Sequence, residues 1–246
     1  MLSSHRNGMM GSIHYRSSTL LVSLLLACGG GEPAPSPAIG GPVSDPGAAN
    51  TAPVILFIGT SLTAGYGLDP AEAYPALIQA RLDSVGLRYR AVNAGVSGET
   101  SAGALRRVEW LFAQESPAVV ILETGGNDGL RGQDPDSLGA NIAAILGAAR
   151  GLDPSPILVL AGMEAPPNLG ERYTRRFREV FPEAAEKTGA TLIPFLLEGV
   201  AGVQSLNQAD GIHPTAEGQA VVAGTVWRVL GPLLAARARE REGPGR

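Results

Sequence analysis

The stretch that decides the fold is Val54-Ile55-Leu56-Phe57-Ile58, an unbroken apolar run that ends at Gly59. A short apolar run without alternation is typical of a strand that is buried on both faces, as in a parallel sheet. Further apolar runs follow at intervals along the chain. Together the predicted strands are Val54–Ile58, Tyr89–Asn93, Ala118–Leu122, Ile157–Leu160 and Thr191–Phe195.

The segment after each strand contains the spacing of an amphipathic helix. In one of them Leu138, Ile142, Ile145 and Leu146 fall on a single helical face. Because strands and helices alternate throughout, we predict an α/β fold with a parallel sheet and helices on both of its faces. The predicted helices are Glu72–Val85, Ser101–Gln114, Asp136–Arg150, Glu171–Thr188 and Thr215–Leu234.

The chain begins with a segment that has the features of an export signal. Residues 1–16 carry two arginines and no acidic residue, and residues 19–27 form an apolar run. This run is too short to span a bilayer as a stable helix, but its length fits the apolar part of a signal peptide. We therefore predict that residues 1–27 are a signal peptide.

The only cysteine of the chain, Cys28, follows this run directly. The string Leu25-Leu26-Ala27-Cys28 resembles a bacterial lipobox, in which the thiol receives diacylglycerol and becomes the new N-terminus. We expect a lipoprotein signal with lipidation at Cys28; a plain secretory signal with an incidental cysteine is the alternative. The expected location is that of an exported bacterial lipoprotein, anchored to a membrane through Cys28 on the periplasmic or outer-membrane face.

The rest of the chain divides into three parts. Residues 28–52 are rich in glycine and proline and show no apolar period, which predicts a flexible tether. Residues 53–236 are long enough for one domain with a good core. Residues 237–246 are a charged tail that we expect to fray.

The composition excludes several classes of function. The chain has 19 basic and 23 acidic residues and no basic stripe, so we expect no nucleic-acid partner. With one cysteine there can be no intramolecular disulfide and no cysteine-rich metal site. Since His5 and His14 lie in the predicted signal peptide, His213 is the one imidazole left for the domain. We therefore expect no metal site.

Four short polar motifs follow four of the predicted strands. They are Gly59-Thr60-Ser61-Leu62, residues 93–100 (Asn-Ala-Gly-Val-Ser-Gly-Glu-Thr), Gly125-Gly126-Asn127-Asp128 and residues 210–213 (Asp-Gly-Ile-His). In this order Ser61, Gly98, Asn127 and His213 resemble the blocks of the SGNH hydrolases, also called the GDSL family, over essentially the whole domain. Residues 63–68 and 126–132 are most similar to the branch of bacterial arylesterases, acyl-CoA thioesterases and lysophospholipases.

The resemblance implies a cofactor-free serine hydrolase with a flavodoxin-like three-layer α/β/α sandwich and a five-stranded parallel sheet in the order 2-1-3-4-5. In this order the motifs after the first three strands lie on adjacent loops at the carboxyl edge of the sheet. Ser61 would be the nucleophile, His213 its base, and Asp210 the carboxylate that orients the imidazole. The oxyanion hole would consist of the backbone N–H groups of Ser61 and Gly98 and the side-chain amide of Asn127.

One position departs from the family pattern, because Thr60 stands where an Asp usually precedes the nucleophile. That Asp is not a member of the triad, so we expect activity to survive, but the hydrogen bonding around the oxyanion site is left open. We expect a glycine at Gly98 because the backbone must approach the substrate closely. Asp128 is interpreted as a turn or supporting residue. Arg131 and Met163 are further candidates for a cleft formed by residues 129–134 and 164–170.

The expected substrates are small-molecule or lipid esters: aryl esters, short or medium acyl esters, thioesters or lysophospholipids. Deacetylation of a polysaccharide is the alternative within the same fold. A tethered binding lipoprotein that has kept the pocket but lost activity is the alternative from another class. Two other enzyme classes fit less well, because residue 63 is Thr rather than the Gly of a Gly-x-Ser-x-Gly elbow, and Gly65-Tyr66-Gly67 lacks the third glycine of a dinucleotide motif.

Overall fold

The computed structural model of the protein describes the backbone of residues 51–242 and the side chains as far as residue 240. The predicted signal peptide, Cys28 and almost all of the predicted tether therefore lie outside the described residues. The last four residues of the predicted charged tail lie outside them as well.

A single five-stranded sheet forms the centre of the domain. All of its neighbouring strands are parallel, and their order is β2-β1-β3-β4-β5, which confirms the predicted fold class and strand order. Every residue of β1 and β3 is buried, as expected for central strands covered on both faces. The strands are β1 (Val54–Gly59), β2 (Arg90–Gly95), β3 (Val119–Glu123), β4 (Ile157–Ala161) and β5 (Thr191–Ile193).

The helices form two groups that cover the sheet. α3 and α6 both pack against α5, whereas α2 packs against α7, so each group supplies one outer layer of the sandwich. The helices are α1 (Ser61–Ala64), α2 (Tyr74–Ser84), α3 (Ser101–Glu115), α4 (Gly126–Leu130), α5 (Pro135–Arg150), α6 (Glu171–Thr188) and α7 (Ala216–Glu242).

The structure departs from the predicted elements at several ends. The single-turn helices α1 and α4 were not predicted, because four or five residues are too short to show a helical period. α2 begins at Tyr74, since Asp69 and Glu72 form a capping box around a separate 3-10 turn. β5 ends at Ile193 rather than at Phe195, because Pro194 has no N–H group to continue the ladder.

The largest difference between the predicted and the observed elements is the C-terminal end of the last helix. The predicted end of this helix at Leu234 is wrong, because α7 continues to Glu242, and the fraying expected from Arg237 onwards stays a prediction. Alanine, arginine and glutamate are strong helix formers, and the Arg237 guanidinium also donates to the carbonyl oxygen of Ala118 at 3.1 Å.

Within the described residues, the segment Ala216–Glu240 of α7 is long and apolar enough to cross a membrane by length and composition. Its apolar residues Val222, Val226, Leu230 and Leu234 are buried in the domain, where α7 packs on α2 and β5. The apolar character of α7 is thus explained by core packing.

The end of β2 lies unusually close to α1, the helix that carries Ser61. A Cβ atom on Gly95 would lie 2.4 Å from the backbone nitrogen of Ala64 and 2.9 Å from the carbonyl oxygen of Thr60. These are backbone atoms that cannot rotate away, so Gly95 is required for the position of α1. By contrast, a Cβ on Gly147, within α5, would meet no atom within 4 Å.

We predict that Gly95→Ala lowers the free energy of unfolding by about 1–3 kcal/mol, the usual cost of overpacking, and displaces α1. The matched change Gly147→Ala should raise stability by about 0.5–1 kcal/mol, because alanine is the better helix former. Urea unfolding followed by circular dichroism measures both. Equal stabilities of the two variants would contradict the close approach of α1 and β2.

Candidate active site

Ser61 lies at the carboxyl end of β1, where the chain turns sharply from the strand into the single turn of α1. Thr60 has an extended backbone and precedes the helix, and Gly65 ends it in the left-handed conformation with φ of 73°. The chain therefore passes from the end of β1 through one complete helical turn within a few residues. This sharp turn brings the partly buried Ser61 side chain to the wall of a cavity.

The structure brings Ser61 and His213 together, although they are 152 residues apart in the chain. The His213 Nε2 atom lies 2.9 Å from Ser61 Oγ, and its Nδ1 atom lies 2.6 Å from Asp210 Oδ2. When Nδ1–H donates to the carboxylate, Nε2 of the neutral ring is free to accept the hydroxyl proton of Ser61. The three side chains thus form one continuous hydrogen-bonded chain.

Asp210 is held by its own turn as well as by the imidazole. Its Oδ1 atom accepts hydrogen bonds from the backbone N–H groups of Ile212 and His213, at 2.9 and 3.0 Å. The hydrogen bond from the His213 ring, followed by those backbone bonds, lowers the pKa of Asp210 to about 2. The carboxylate is therefore ionised throughout the neutral pH range and can stabilise a positive imidazolium.

Tyr66 packs on His213, a contact that the sequence analysis did not predict. The two ring centroids are 4.5 Å apart, and the rings are tilted by 38°. Gln208 ties the two loops together, because its Nε2 donates to the carbonyl oxygens of Tyr66 at 2.7 Å and of Pro214 at 2.9 Å. Glycine at position 67 allows the Gln208 side chain to reach these carbonyl oxygens. Its φ is +78°, and a Cβ atom there would lie 2.6 Å from Gln208 Oε1.

The three predicted oxyanion-hole residues, Ser61, Gly98 and Asn127, border the same cavity. The Asn127 Nδ2 atom donates to the carbonyl oxygen of Glu99 at 3.0 Å, so one of its two N–H bonds is fixed and the other is free for a substrate. Glycine is favoured at position 98 because its φ is +78°, and no protein atom lies within 4 Å of a Cβ built there. The expected close approach of this backbone to a substrate stays a prediction.

The loop that carries Gly98 is anchored by charged side chains on both sides. Buried Asp128 accepts from the backbone N–H and the hydroxyl of Ser101, at 2.9 and 2.6 Å. Arg131 donates to the carbonyl oxygen of Gly98 at 3.1 Å, so it supports this loop. Arg107 binds the Glu99 carboxylate at 2.6 Å through a nitrogen that also donates to the carbonyl of Ala94. These hydrogen bonds fix the Gly98 loop relative to α3 and α4.

The triad opens on a cavity of about 500 Å³. Both segments predicted to form the cleft contribute to it, the first through Leu130 and the second through residues 164–167. Met163 also borders it. The wall formed by the long connection after β5 was not among the cleft segments predicted from the sequence. The apolar side chains of the lining include Leu130, Met163, Pro166, Phe195, Leu197 and Ile212.

Within the described part of the chain, no group of three or more His, Cys, Asp and Glu side chains is arranged to hold a metal ion. The polar groups around Ser61 are hydrogen-bonded to one another in the pattern described above. Their arrangement suits removal of a proton from Ser61 and stabilisation of negative charge beside it.

Comparison with known proteins agrees with this geometry. The sequence model of the GDSL-like Lipase/Acylhydrolase family matches residues 57–221. Esterase TesA of Pseudomonas aeruginosa is 46% identical over 183 residues, which cover 74% of this chain and 90% of that protein. Thioesterase 1/protease 1/lysophospholipase L1 of Escherichia coli K12 is 35% identical over 186 residues, covering 76% of this chain and 87% of its own length.

A crystal structure of TesA superposes with a TM-score of 0.70 at 45% sequence identity, covering 73% of this chain and 99% of that one. The family match spans most of the chain and includes Ser61, Gly98, Asn127 and His213. On this combined evidence of sequence and structure, the chain belongs to the GDSL-like lipase/acylhydrolase family.

Proposed function

We propose that this protein is a serine esterase that hydrolyses carboxylic esters or thioesters through an acyl-Ser61 intermediate. The observation that carries the proposal is the hydrogen-bonded chain from Asp210 through His213 to Ser61, which ends at an apolar cavity. The complete triad also argues against an inactive binding lipoprotein, since such a protein has no need for it.

In the acylation step, Ser61 Oγ attacks the carbonyl carbon while His213 Nε2 takes the hydroxyl proton. The carbonyl oxygen becomes negative, and the N–H groups of Ser61 and Gly98 and the Asn127 amide stabilise it. When the intermediate collapses, the bond to the leaving group breaks and His213 returns the proton to the departing alcohol or thiol. Water then attacks the acyl-Ser61 ester by the same route, which releases the acid and restores the serine.

The cavity supports an acyl or aryl group as the recognised part of the substrate. Its volume lies within the usual range for small-molecule sites, and its walls are mainly apolar. Aryl esters, short or medium acyl esters, thioesters and lysophospholipids all present such a group beside a reactive carbonyl. The apolar lining favours them over a polysaccharide, whose hydroxyl groups would need hydrogen-bonding partners.

The proposal extends to the location of the protein. We propose that Cys28 is lipidated after export and that the domain works from a membrane surface as a bacterial lipoprotein. The support is the sequence pattern alone: an apolar run of signal-peptide length that ends at the only cysteine. The several acyl chains of a bacterial lipoprotein would hold it firmly to the membrane.

We predict that Ser61→Ala and His213→Ala each lower kcat for p-nitrophenyl esters by about 10³-fold or more, as triad deletions do. Asp210, with its pKa lowered to about 2, is ionised at any pH near neutral, so its charge does not change over the range in which these variants are assayed. Near-normal turnover by His213→Ala would refute the proposed mechanism.

We predict that Asn127→Ala lowers kcat by about 10²–10³-fold, the usual loss for one oxyanion donor, with little effect on folding. Asn168→Ala, at an exposed position outside the cavity lining, is the matched control and should keep wild-type kcat. Steady-state kinetics and thermal unfolding of both variants measure this. A loss of stability without a loss of kcat in Asn127→Ala would make Asn127 a structural turn residue.

We predict that mass spectrometry of the native protein finds an N-terminal, acylated Cys28. The control variant Cys28→Ser should carry no acyl group and should leave the membrane fraction. An unmodified N-terminus beyond residue 28 in the wild type would exclude lipid anchoring.

A further inference from the structure

A carboxyl group that the proposed mechanism does not use is enclosed directly behind the nucleophile. Glu123 is the last residue of β3, and its exposed fraction is 0%. Burial of a carboxylate among apolar side chains is costly unless hydrogen bonds compensate for the lost water. The contacts of this carboxyl group therefore indicate what it does for the protein.

The contacts of Glu123 go to residues on both sides of Ser61. The Oε2 atom accepts from the backbone N–H of Thr60 at 2.7 Å and from the hydroxyl of Thr63 at 2.9 Å. The Thr60 hydroxyl lies 2.9 Å from Oε1 and 3.0 Å from Oε2. One carboxyl group thus holds the residue before the nucleophile and the residue two positions after it.

The hydrogen bonds form a directed set. The Thr63 hydroxyl has one proton and gives it to Glu123, so the Tyr74 hydroxyl, 2.8 Å away, must donate to Thr63. Tyr74 is itself buried, and its backbone N–H donates to Gln219 Oε1 at 2.9 Å. The nucleophile turn is therefore connected through Glu123 and Tyr74 to α7.

The backbone leaves just enough space for this arrangement. A Cβ atom on Gly59 would lie 2.7 Å from Glu123 Oε2 and 1.9 Å from Thr63 Oγ1. The glycine before Thr60 is thus required for the carboxyl group to reach the turn.

From this geometry we propose that Glu123 is a positioning residue, which acts through Thr60 and Thr63 to fix Ser61 against His213 and its backbone N–H against the substrate oxyanion. The inference rests on the proposed function of Ser61 as the nucleophile. It also gives Thr60, which departs from the family pattern, a role in this chain, because its hydroxyl donates to Glu123.

Burial and hydrogen bonding act in opposite directions on the Glu123 carboxyl group. Burial raises the pKa of the Glu123 carboxyl, and hydrogen bonds from Thr60 and Thr63 act in the opposite direction. Burial, followed by the nearby Glu123 charge, also raises the pKa of the Tyr74 hydroxyl, which keeps that group protonated as a donor. No member of the cluster borders the cavity except Thr60, so the cluster supports the site from behind.

The test removes the hydroxyl groups one at a time without changing the shape of the side chains. In Thr60→Val and Thr63→Val we expect kcat for p-nitrophenyl butyrate to fall by about 10–100-fold with KM within about twofold, because a small misplacement of reacting groups acts on the chemical step. Thr60→Ser, which keeps the hydroxyl, should recover kcat to within about threefold of wild type.

The matched control is Thr124→Val. Thr124 is the neighbour of Glu123, it is 1% exposed, and among the described residues its hydroxyl is the one buried side-chain polar atom without a hydrogen-bond partner. Removal of the Thr124 hydroxyl should leave kcat and KM unchanged. That result would show that a buried Thr→Val change does not lower kcat by itself, and that the effect at residues 60 and 63 comes from their hydrogen bonds to Glu123.

All variants are assayed at a temperature where circular dichroism shows them folded. If Thr60→Val does not fold, Thr63→Val carries the same test from the other side of Ser61. Wild-type kcat in folded Thr60→Val and Thr63→Val would overturn the positioning role while leaving the proposed esterase intact. Absence of ester turnover and of fluorophosphonate labelling at Ser61 in the wild type would instead overturn the proposed function, and this inference with it.

Discussion

The site depends on one constraint, which is the position of β1 between β2 and β3 in a parallel sheet. Parallel strands end at the same edge, and neighbouring strands are about 4.8 Å apart. The residues that follow these three strands must therefore meet, and they are Ser61, Gly98 and Asn127. His213 lies further away, on the long connection after β5, so its position depends on additional contacts. These contacts are the hydrogen bonds of the Asp210 turn, the packing of the Tyr66 ring and the hydrogen bonds of Gln208.

Much of the architecture could be predicted because apolar runs and helical periods are repeated signals. The strand order followed from the family resemblance that the motifs after four of the strands carry, and the structure joins Ser61, Asp210 and His213, which those motifs contain, in one hydrogen-bonded chain. What escaped prediction depends on single contacts between distant residues. Glu123 directly follows an apolar run and Tyr66 stands between two glycines, and neither position indicates a partner, because the partners are decided only when the strands pair. The end of α7 was misplaced for a similar reason, since Arg237 finds its acceptor on the loop before β3.

The two sides of the site are built differently. Behind Ser61 and around Gly98 the polar groups are joined by hydrogen bonds to the buried carboxyl groups of Glu123 and Asp128. These hydrogen bonds fix the positions of the two loops that carry Ser61 and Gly98. Substitutions in a buried network of this kind are destabilising, because the loss of one hydrogen-bond partner leaves another buried polar group unsatisfied. The apolar side chains of the cavity come mainly from the connections after β4 and β5, and Leu130 of α4 adds to them. The connection after β4 contains no residue of the triad, so changes in its side chains alter the volume and shape of the cavity without removing these hydrogen bonds.

The direction of β1 has a consequence for how the enzyme is displayed. The strand starts at Val54 and delivers the chain to Ser61 about 20 Å further on, at the opposite edge of the sheet. The described chain thus starts at the edge of the sheet that lies away from the cavity. A resin or a fusion partner joined to the backbone at this end leaves the cavity lining untouched, so the enzyme can be immobilised there without blocking the entry of an ester from solution.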